Sequence, residues 1–352
     1  MKPQKIQIAS AKTAFAKIRN KKILLLASPS WLVSKATKPA LQQLKLSNEV
    51  QILSYSGFYL EFRELEKMRK KLKHPFQVIL AIGGGGVLDL AKHLLYDLKR
   101  PTLIAVPTTA GSGSEATQFA TFYRGFQKHS LSYSWLRPQQ VIFVSEWLLS
   151  IPPSVRVSAG LDCLSQAIES ILSKKSTPSS RRKAFLSLKI FRKYFEKYLL
   201  IPNKTNAKQM QRAAYASGCA IQISQTNLAH ALSYELTRIH GIPHGKAVFL
   251  NLIPFLRYNY LFDDRISQKR LKQIFMVWNC KTLKAFEEKL KKLAQSCEVS
   301  LDFSNWNVSE QNIKKIYEHA GKSPRARNSL HSINVNDLKE ILQTYIKEIR
   351  ES

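Results

Sequence analysis

Acidic residues are scarce in this chain of 352 residues: 24 Asp and Glu stand against 55 Lys and Arg, a formal net charge of +31. Cysteine is scarcer still, with four residues far apart and no CxxC spacing. That pattern excludes a zinc knuckle and a dense disulfide framework, and it favours a reducing cytoplasm. No apolar run approaches the roughly 20 residues of a membrane-spanning helix, so the chain is not expected to span a membrane.

The remaining composition is that of a folded, soluble protein. Hydrophobic residues make up 44% and charged residues 22%, which excludes general disorder, collagen and coiled-coil classes. The excess of positive charge brings nucleic acid, an anionic membrane surface and an anionic small substrate into consideration. Nucleic acid is disfavoured, because Lys and Arg are spread along the whole chain and no nucleic-acid motif appears. No membrane partner is expected either.

The first part of the chain alternates short apolar runs with helical patterns. A helix is predicted at Phe58–Leu72. Strands are predicted at Ile23–Ala27, Val50–Ser54, Val78–Ile82, Thr102–Val106 and Val141–Val144. This βαβ rhythm predicts a mostly parallel sheet with helices on both faces.

Beyond Pro152-Pro153, which we interpret as a hinge, helical patterns dominate. Helices are predicted at Val157–Ser173, Ser180–Tyr198, Lys208–Gln225, Asn227–Thr237, Ile266–Asn279, Leu283–Cys297, Asn312–His319 and Asn334–Ile349. We therefore expect an α/β nucleotide-binding domain over residues 1–151 and an all-α domain over 152–352 that binds metal and substrate.

Two glycine-containing segments follow predicted strands. Gly83–Gly86 lies between a strand and a helical pattern that contains Asp89, an arrangement that can cradle a pyrophosphate. Hydroxyls at Thr108, Thr109 and Ser112 follow the next strand and suit a loop around a nucleotide. The alternatives are an ordinary βα turn and a Ser/Gly linker, and neither GxGxxG nor GxxxxGK[ST] is present.

A third set of residues lies in the helical part. Asp162 and Gln166 are four apart on a predicted helix, hence on one face, and His230 and His244 follow 14 residues apart. One carboxylate and two imidazoles can chelate a divalent transition metal, and a Gln carbonyl can add a weaker oxygen. Alternatively, the histidines are hydrogen-bonded core or loop residues. His240 ranks lower as a ligand.

The segments GGGGVLDLAK, PTTAGSGSEAT, AGLDCLSQAIES and HALSYELTRIHGIPHG, in this order and spacing, resemble the iron-containing (group III metal-dependent) alcohol dehydrogenase family. The resemblance runs from about Lys21 to Asn259. It implies a two-domain fold related to dehydroquinate synthase, with the active site in the cleft between the domains. It also implies that Gly83–Asp89 hold the cofactor pyrophosphate, that Thr108, Thr109 and Ser112 line the nucleotide, and that Asp162, His230 and His244 ligate Fe2+ or Zn2+.

Three positions depart from the family's usual pattern. Gln166 stands where His is common, which should weaken the metal site. Ser28 stands where many members carry an Asp that bonds the adenosine ribose. Because Ser28 is neutral and compatible with a 2′-phosphate, NADP(H) is expected to be preferred over NAD(H). Ser145-Glu146 replaces a usual Asp-Pro.

The segment SQAIES, together with Lys128–Leu131, is similar in sequence to the phosphonoacetaldehyde reductase subgroup of this family. This similarity implies NAD(P)H-linked reduction of a short, anionic aldehyde, with phosphonoacetaldehyde to 2-hydroxyethylphosphonate as the leading reaction. The expected proton source is water or a nearby side chain, Tyr234 or His240. Three cations are the candidate ligands of the anionic group: Lys128, Arg181 and Lys246. The alternative is that they are solvated surface charges.

Two other classes of function stay open. One is another enzyme of this fold, a glycerol-phosphate dehydrogenase or a dehydroquinate-synthase-like lyase, although the GIPHG segment favours the alcohol dehydrogenase branch. The other is a non-catalytic relative that binds anions or nucleic acid through its charge. A homodimer is compatible with the sequence without being fixed by it.

Overall fold

A computed structural model describes residues 4–57, 59–73, 75–99, 101–125 and 127–351 of the protein. Its packing forms two compact units. The first contains the described residues of Met1–Arg156 together with Tyr194–Gly218, and the second contains Val157–Lys193 and the described residues of Cys219–Ser352. The predicted division has a single boundary, at residues 151/152, whereas in the structure the chain returns to the first unit over Tyr194–Gly218.

The first unit is built on a parallel sheet. The strands are β1 (Lys5–Ile8), β2 (Lys22–Ala27), β3 (Glu49–Ser54), β4 (Val78–Gly83), β5 (Thr102–Pro107), β6 (Phe119–Arg124), β7 (Gln127–Ser132) and β8 (Gln140–Phe143). Among the described residues, six of them form one parallel sheet in the order β1-β8-β5-β4-β2-β3, and β6 and β7 pair as an antiparallel hairpin. All the predicted strands are confirmed, whereas β1, β6 and β7 were not predicted.

The helices, in chain order, are α1 (Pro29–Val33), α2 (Lys38–Ser47), α3 (Phe62–Lys70), α4 (Gly85–Leu98), α5 (Pro153–Ile171), α6 (Pro178–Leu200), α7 (Lys204–Ser224), α8 (Leu228–His240), α9 (His244–Leu250), α10 (Leu252–Tyr260), α11 (Arg265–Val277), α12 (Leu283–Ser296), α13 (Glu310–Gly321) and α14 (Val335–Glu351). Each predicted helix is present. The one predicted at Phe58–Leu72 is α3, and Phe58 lies outside the described residues. No helix range was predicted for α1, α2, α9 or α10.

Helices cover both faces of the sheet, because the central strands are apolar on both sides. Along β2 and β4, one set of alternating residues packs against α4 and the next set packs with α1 and α2. The predicted α/β architecture of the first part and the helical character of the second are therefore confirmed. No helix among the described residues is both long and apolar enough to cross a membrane.

Candidate functional site

The carboxyl edge of the sheet gathers the three segments predicted to bind the cofactor. Leaving the edge strand β1 aside, the order β3-β2-β4-β5-β8 is doubly wound, and its direction of winding reverses between β2 and β4. Loops after those two strands diverge and leave a crevice, where nucleotides bind in such sheets. Ser28 follows β2, Gly83 ends β4, and Thr108 follows β5.

The glycine turn and the loop after β5 touch one another. A Cβ atom on Gly84 would lie 3.3 Å from Thr109 Oγ1, and one on Gly85 would lie 3.0 Å from Ser112 Oγ. The backbone N–H of Thr108 donates to Gly83 O at 3.0 Å. Since α4 starts at Gly85, bare backbone and hydroxyls surround a helix N-terminus, a combination suited to a pyrophosphate.

Asp89 and Lys92, on α4, hold this loop and the hairpin in place. The Asp89 carboxylate accepts hydrogen bonds from Ser114 Oγ at 3.0 Å and from Thr121 Oγ1 at 2.8 Å. The buried Lys92 ammonium donates to Ser114 O and Phe119 O, both at 2.7 Å. Burial lowers the pKa of Lys92 to about 8. The carboxylate of Asp89 thus hydrogen-bonds to other residues of the protein. Its contact with the cofactor stays a prediction.

The helix α7, which lies about a hundred residues later in the sequence, packs against the loop after β5. Gly113 has φ +59°, and a Cβ atom there would lie 2.5 Å from Gly218 Cα. Gln211 accepts from Ser145 Oγ at 2.8 Å and donates to Pro107 O at 3.4 Å. These contacts explain why Tyr194–Gly218 packs with the first unit, and they give Ser145 a structural role.

In the second unit, three predicted metal ligands converge from three helices. Asp162 lies on α5, His230 in the first turn of α8, and His244 begins α9. Each offers a ligand atom, and these atoms all lie within 4.8 Å of one another. His230 Nε2 is 3.3 Å from Asp162 Oδ1, and the two imidazole rings are 5.4 Å apart.

A close helix crossing places His244 in this cluster. Gly245 packs directly on α5, where a Cβ atom would lie only 1.8 Å from Ser158 O and 3.0 Å from Asp162 Cβ. The backbone N–H of Gly245 also donates to Ser158 Oγ at 3.2 Å. Only glycine allows this approach, which brings the start of α9 beside Asp162.

Gln166, one turn after Asp162 on α5, turns its amide toward that carboxylate. Its Nε2 donates to Asp162 Oδ1 at 3.0 Å, and both side chains are buried. In this arrangement the amide orients a ligand. Direct ligation through Gln166 Oε1 stays a prediction.

Glu169 is a buried residue of the cluster that the sequence analysis did not identify. Its Oε2 contacts His230 Nδ1, and its Oε1 accepts from the backbone N–H groups of His230 at 3.0 Å and Asn227 at 3.1 Å. The signal was present in the spacing: Asp162, Gln166 and Glu169 fall at i, i+4 and i+7, on one face of the helix.

The electrostatics of the cluster favour a cation. Burial alone would lower the pKa of His230, but the carboxylates of Glu169 and Asp162 raise it to about 10. Burial would raise the pKa of Asp162, yet His230 and His244 hold it below its usual value. Among the described residues, the buried His230 Nε2 has no hydrogen-bond partner. The carboxylate of Asp162 and the imidazoles of His230 and His244 form a set of ligands that fits Fe2+ or Zn2+.

The two predicted proton sources lie on α8. Tyr234 is one turn beyond His230, on the same face of the helix. His240 is the last residue of α8, about 15 Å of helix rise from His230, and it is not among the clustered ligands. The structure therefore favours Tyr234 by position, and both roles stay predictions.

The three predicted anion-binding cations lie on different elements. Lys128 is on β7 in the first unit. The guanidinium of Arg181 donates to Ser176 O at 3.3 Å, near the start of α6. Lys246 lies two residues after His244 on α9, with its ammonium 5.6 Å from the Trp306 ring centre. Of the three, Lys246 is nearest in sequence to a clustered ligand.

Family models cover most of the chain. Residues 4–144 match the model described as iron-containing alcohol dehydrogenase, and residues 156–346 match the C-terminal model of the Fe-containing alcohol dehydrogenase family. The chain belongs to the iron-containing alcohol dehydrogenase family. The resemblance expected from the four sequence segments is thereby confirmed.

Individual relatives within this family differ in how much of the chain they match. A phosphonoacetaldehyde reductase from Streptomyces viridochromogenes is 34% identical over 210 residues, 52% of this chain and 53% of that protein. The chain thus spans about half the length of this relative. A choline dehydrogenase from Bacillus subtilis is 25% identical over 89% of this chain and 85% of that protein.

Solved structures match over nearly the whole length. A sulfoacetaldehyde reductase from Bifidobacterium kashiwanohense, in complex with NAD+, has a TM-score of 0.83 at 25% identity, over 98% of each chain. An iron-containing alcohol dehydrogenase from Thermotoga maritima has a TM-score of 0.82 at 21% identity, again over 98% of each chain. The fold expected from the resemblance is confirmed.

Proposed function

We propose that the protein catalyses the metal-dependent, NAD(P)H-linked reduction of a short anionic aldehyde, with phosphonoacetaldehyde to 2-hydroxyethylphosphonate as the leading reaction. The observation that carries the proposal is the convergence of Asp162, His230 and His244 within 4.8 Å, in a chain of this family. Phosphonoacetaldehyde and sulfoacetaldehyde, the substrates in the names of two relatives, are both short aldehydes with an anionic group.

The chain's own residues would bind and orient the reactants. Asp162, His230 and His244 would hold Fe2+ or Zn2+, and Gly83–Gly86 with Thr108–Ser112 would bind the dinucleotide. When bound, the cation supplies a Lewis acid that polarises the aldehyde carbonyl, and the reduced nicotinamide supplies hydride. Tyr234, one turn from His230, is assigned to deliver a proton to the product oxygen, directly or through water.

The anionic group of the substrate is assigned first to Lys246. Replacing it with alanine should raise KM for phosphonoacetaldehyde about 10- to 150-fold, the equivalent of a charged hydrogen bond, and leave KM for propionaldehyde unchanged. Steady-state kinetics on both aldehydes measure this. Lys22→Ala, at the amino end of β2, removes the same charge as a control. Equal kcat/KM for the two aldehydes in the wild type would refute the anion preference.

Cofactor selectivity is assigned to Ser28, at the crevice edge. Ser28→Asp should lower the ratio of kcat/KM for NADPH to that for NADH about tenfold, because a carboxylate repels the 2′-phosphate and accepts ribose hydroxyls. Lys35, a basic residue seven positions after Ser28, lies in the turn between α1 and α2 and is exposed. Ser10→Asp, after β1 and four strands away, is the charge control. A wild type faster with NADH would contradict the assignment.

A further inference from the structure

We propose that Glu169 is a positioning residue that fixes the ring-proton position of His230, so that the Nε2 lone pair faces the metal. The proposal rests on the metal centre of the proposed function and extends it to a residue outside the ligand set. Glu169 is fully buried on α5, and among the residues that the structure describes its carboxylate hydrogen-bonds at the start of α8.

The two oxygens of Glu169 have different partners. Oε1 accepts two backbone N–H groups, from Asn227 at 3.1 Å and from His230 at 3.0 Å. Oε2 contacts His230 Nδ1. A carboxylate only accepts hydrogen bonds, so Nδ1 must carry a proton to satisfy this contact. In the neutral ring, Nε2 is then the unprotonated nitrogen, and Nε2 lies on the Asp162 side at 3.3 Å.

A glutamine at position 169 would reverse this arrangement without changing the shape of the side chain. The carbonyl oxygen of the glutamine would accept from the two backbone N–H groups. In the opposite orientation of the amide, its NH2 group would face these two donors and form no hydrogen bond with them. The NH2 group would then point at His230 Nδ1 and require a lone pair there. The proton would move to Nε2, where it blocks metal binding.

Zinc affinity of the full chain tests this prediction. Glu169→Gln should weaken Zn2+ binding about 10- to 100-fold, the range seen when a residue behind a metal ligand is changed. Competition with a chromophoric chelator measures the dissociation constant. Asn227→Ala is the matched control: Asn227 Oδ1 accepts from Leu228 N at 2.8 Å and Asn227 Nδ2 donates to Glu169 O at 3.1 Å, so the variant loosens the same helix start but leaves the side chains of Glu169 and His230 unchanged. It should lower the Tm and keep the wild-type zinc affinity.

The ring protons of His230 can also be read directly. In zinc-loaded wild type labelled with 15N-histidine, the ring nitrogen shifts should show Nδ1 protonated and Nε2 on the metal. The reverse assignment would overturn the inference, even if Glu169→Gln did not fold. So would equal zinc affinity in Glu169→Gln and wild type, or an equal loss in Asn227→Ala.

Failure of the underlying site has a different signature. If wild type and His244→Ala bind zinc equally, the metal centre of the proposed function is wrong, and the role of Glu169 falls with it. If wild type binds zinc, His244→Ala does not, and Glu169→Gln does so normally, only the role of Glu169 is refuted.

Discussion

Replacing His244 with alanine should leave the protein almost without metal and almost without activity. The number of protein ligands would fall from three to two. Gln166 does not replace the lost ligand in this arrangement, because its amide N–H donates to Asp162 Oδ1. We expect metal affinity to fall at least about 100-fold, beyond the effect of changing a residue behind a ligand. Loss of a Lewis acid, worth several kcal/mol, should lower kcat/KM about 1,000-fold or more.

Elemental analysis of protein purified without chelators measures the first effect, and reductase kinetics measure the second. His240→Ala is the matched control, because it removes the same side chain four positions earlier, from the end of α8 and outside the clustered ligands. It should retain the metal content of the wild type. Equal metal content in His244→Ala and wild type would remove His244 from the site.

The sheet could be predicted because its central strands are buried on both faces. Val78–Ile82 and Thr102–Val106 are apolar runs of five residues, rich in β-branched side chains, and this length and composition favour a buried strand over a helix. By contrast, β7 reads QKHSLS and β1 is four residues long. The strand β1 owes its structure to pairing with β8, far away in sequence, and β7 owes its structure to the hairpin with β6, so the periodicity within either segment gave no signal.

The helical part shows the same limit at one place. The apolar run Val248–Phe255 contains Pro254, which breaks a helical pattern when read in isolation. In the structure Pro254 falls in the first turn of α10, where proline costs no intrahelical hydrogen bond. The helix boundary before it, at Asn251, could not be placed from periodicity alone.

At the candidate site, the sequence predicted the ligands but not the contacts that position them. Asp162 and Gln166 share a helix face by spacing alone, and their hydrogen bond follows from it. The packing of α7 against the loop after β5 depends on two glycines, Gly113 and Gly218, about a hundred residues apart in sequence. Such a contact exists only once the fold has formed, and nothing local encodes it.

Gly245 is the contact on which the convergence of the ligands depends most, and its replacement carries the second large expected effect. In Gly245→Ala the new Cβ would lie 1.8 Å from Ser158 O, whereas real Cβ atoms essentially never approach another heavy atom closer than 3.0 Å. The nearest atom is backbone, so rotamer change cannot relieve the overlap. Either α9 moves away from α5 or the helix start unwinds, and both displace His244 from Asp162.

We therefore expect Gly245→Ala to lower the free energy of unfolding by at least about 1–3 kcal/mol, the cost of overpacking a well-packed site. Zinc affinity should fall by a factor comparable to that of His244→Ala, although every ligand is still present. Thermal unfolding with and without zinc measures both, because metal that binds only the folded state raises the Tm. Lys246→Ala, at the next position of α9, should keep the zinc-induced rise. A Gly245→Ala protein with the wild-type rise would show that the ligands converge without this helix crossing, and the close approach of α9 to α5 would then have no part in building the site.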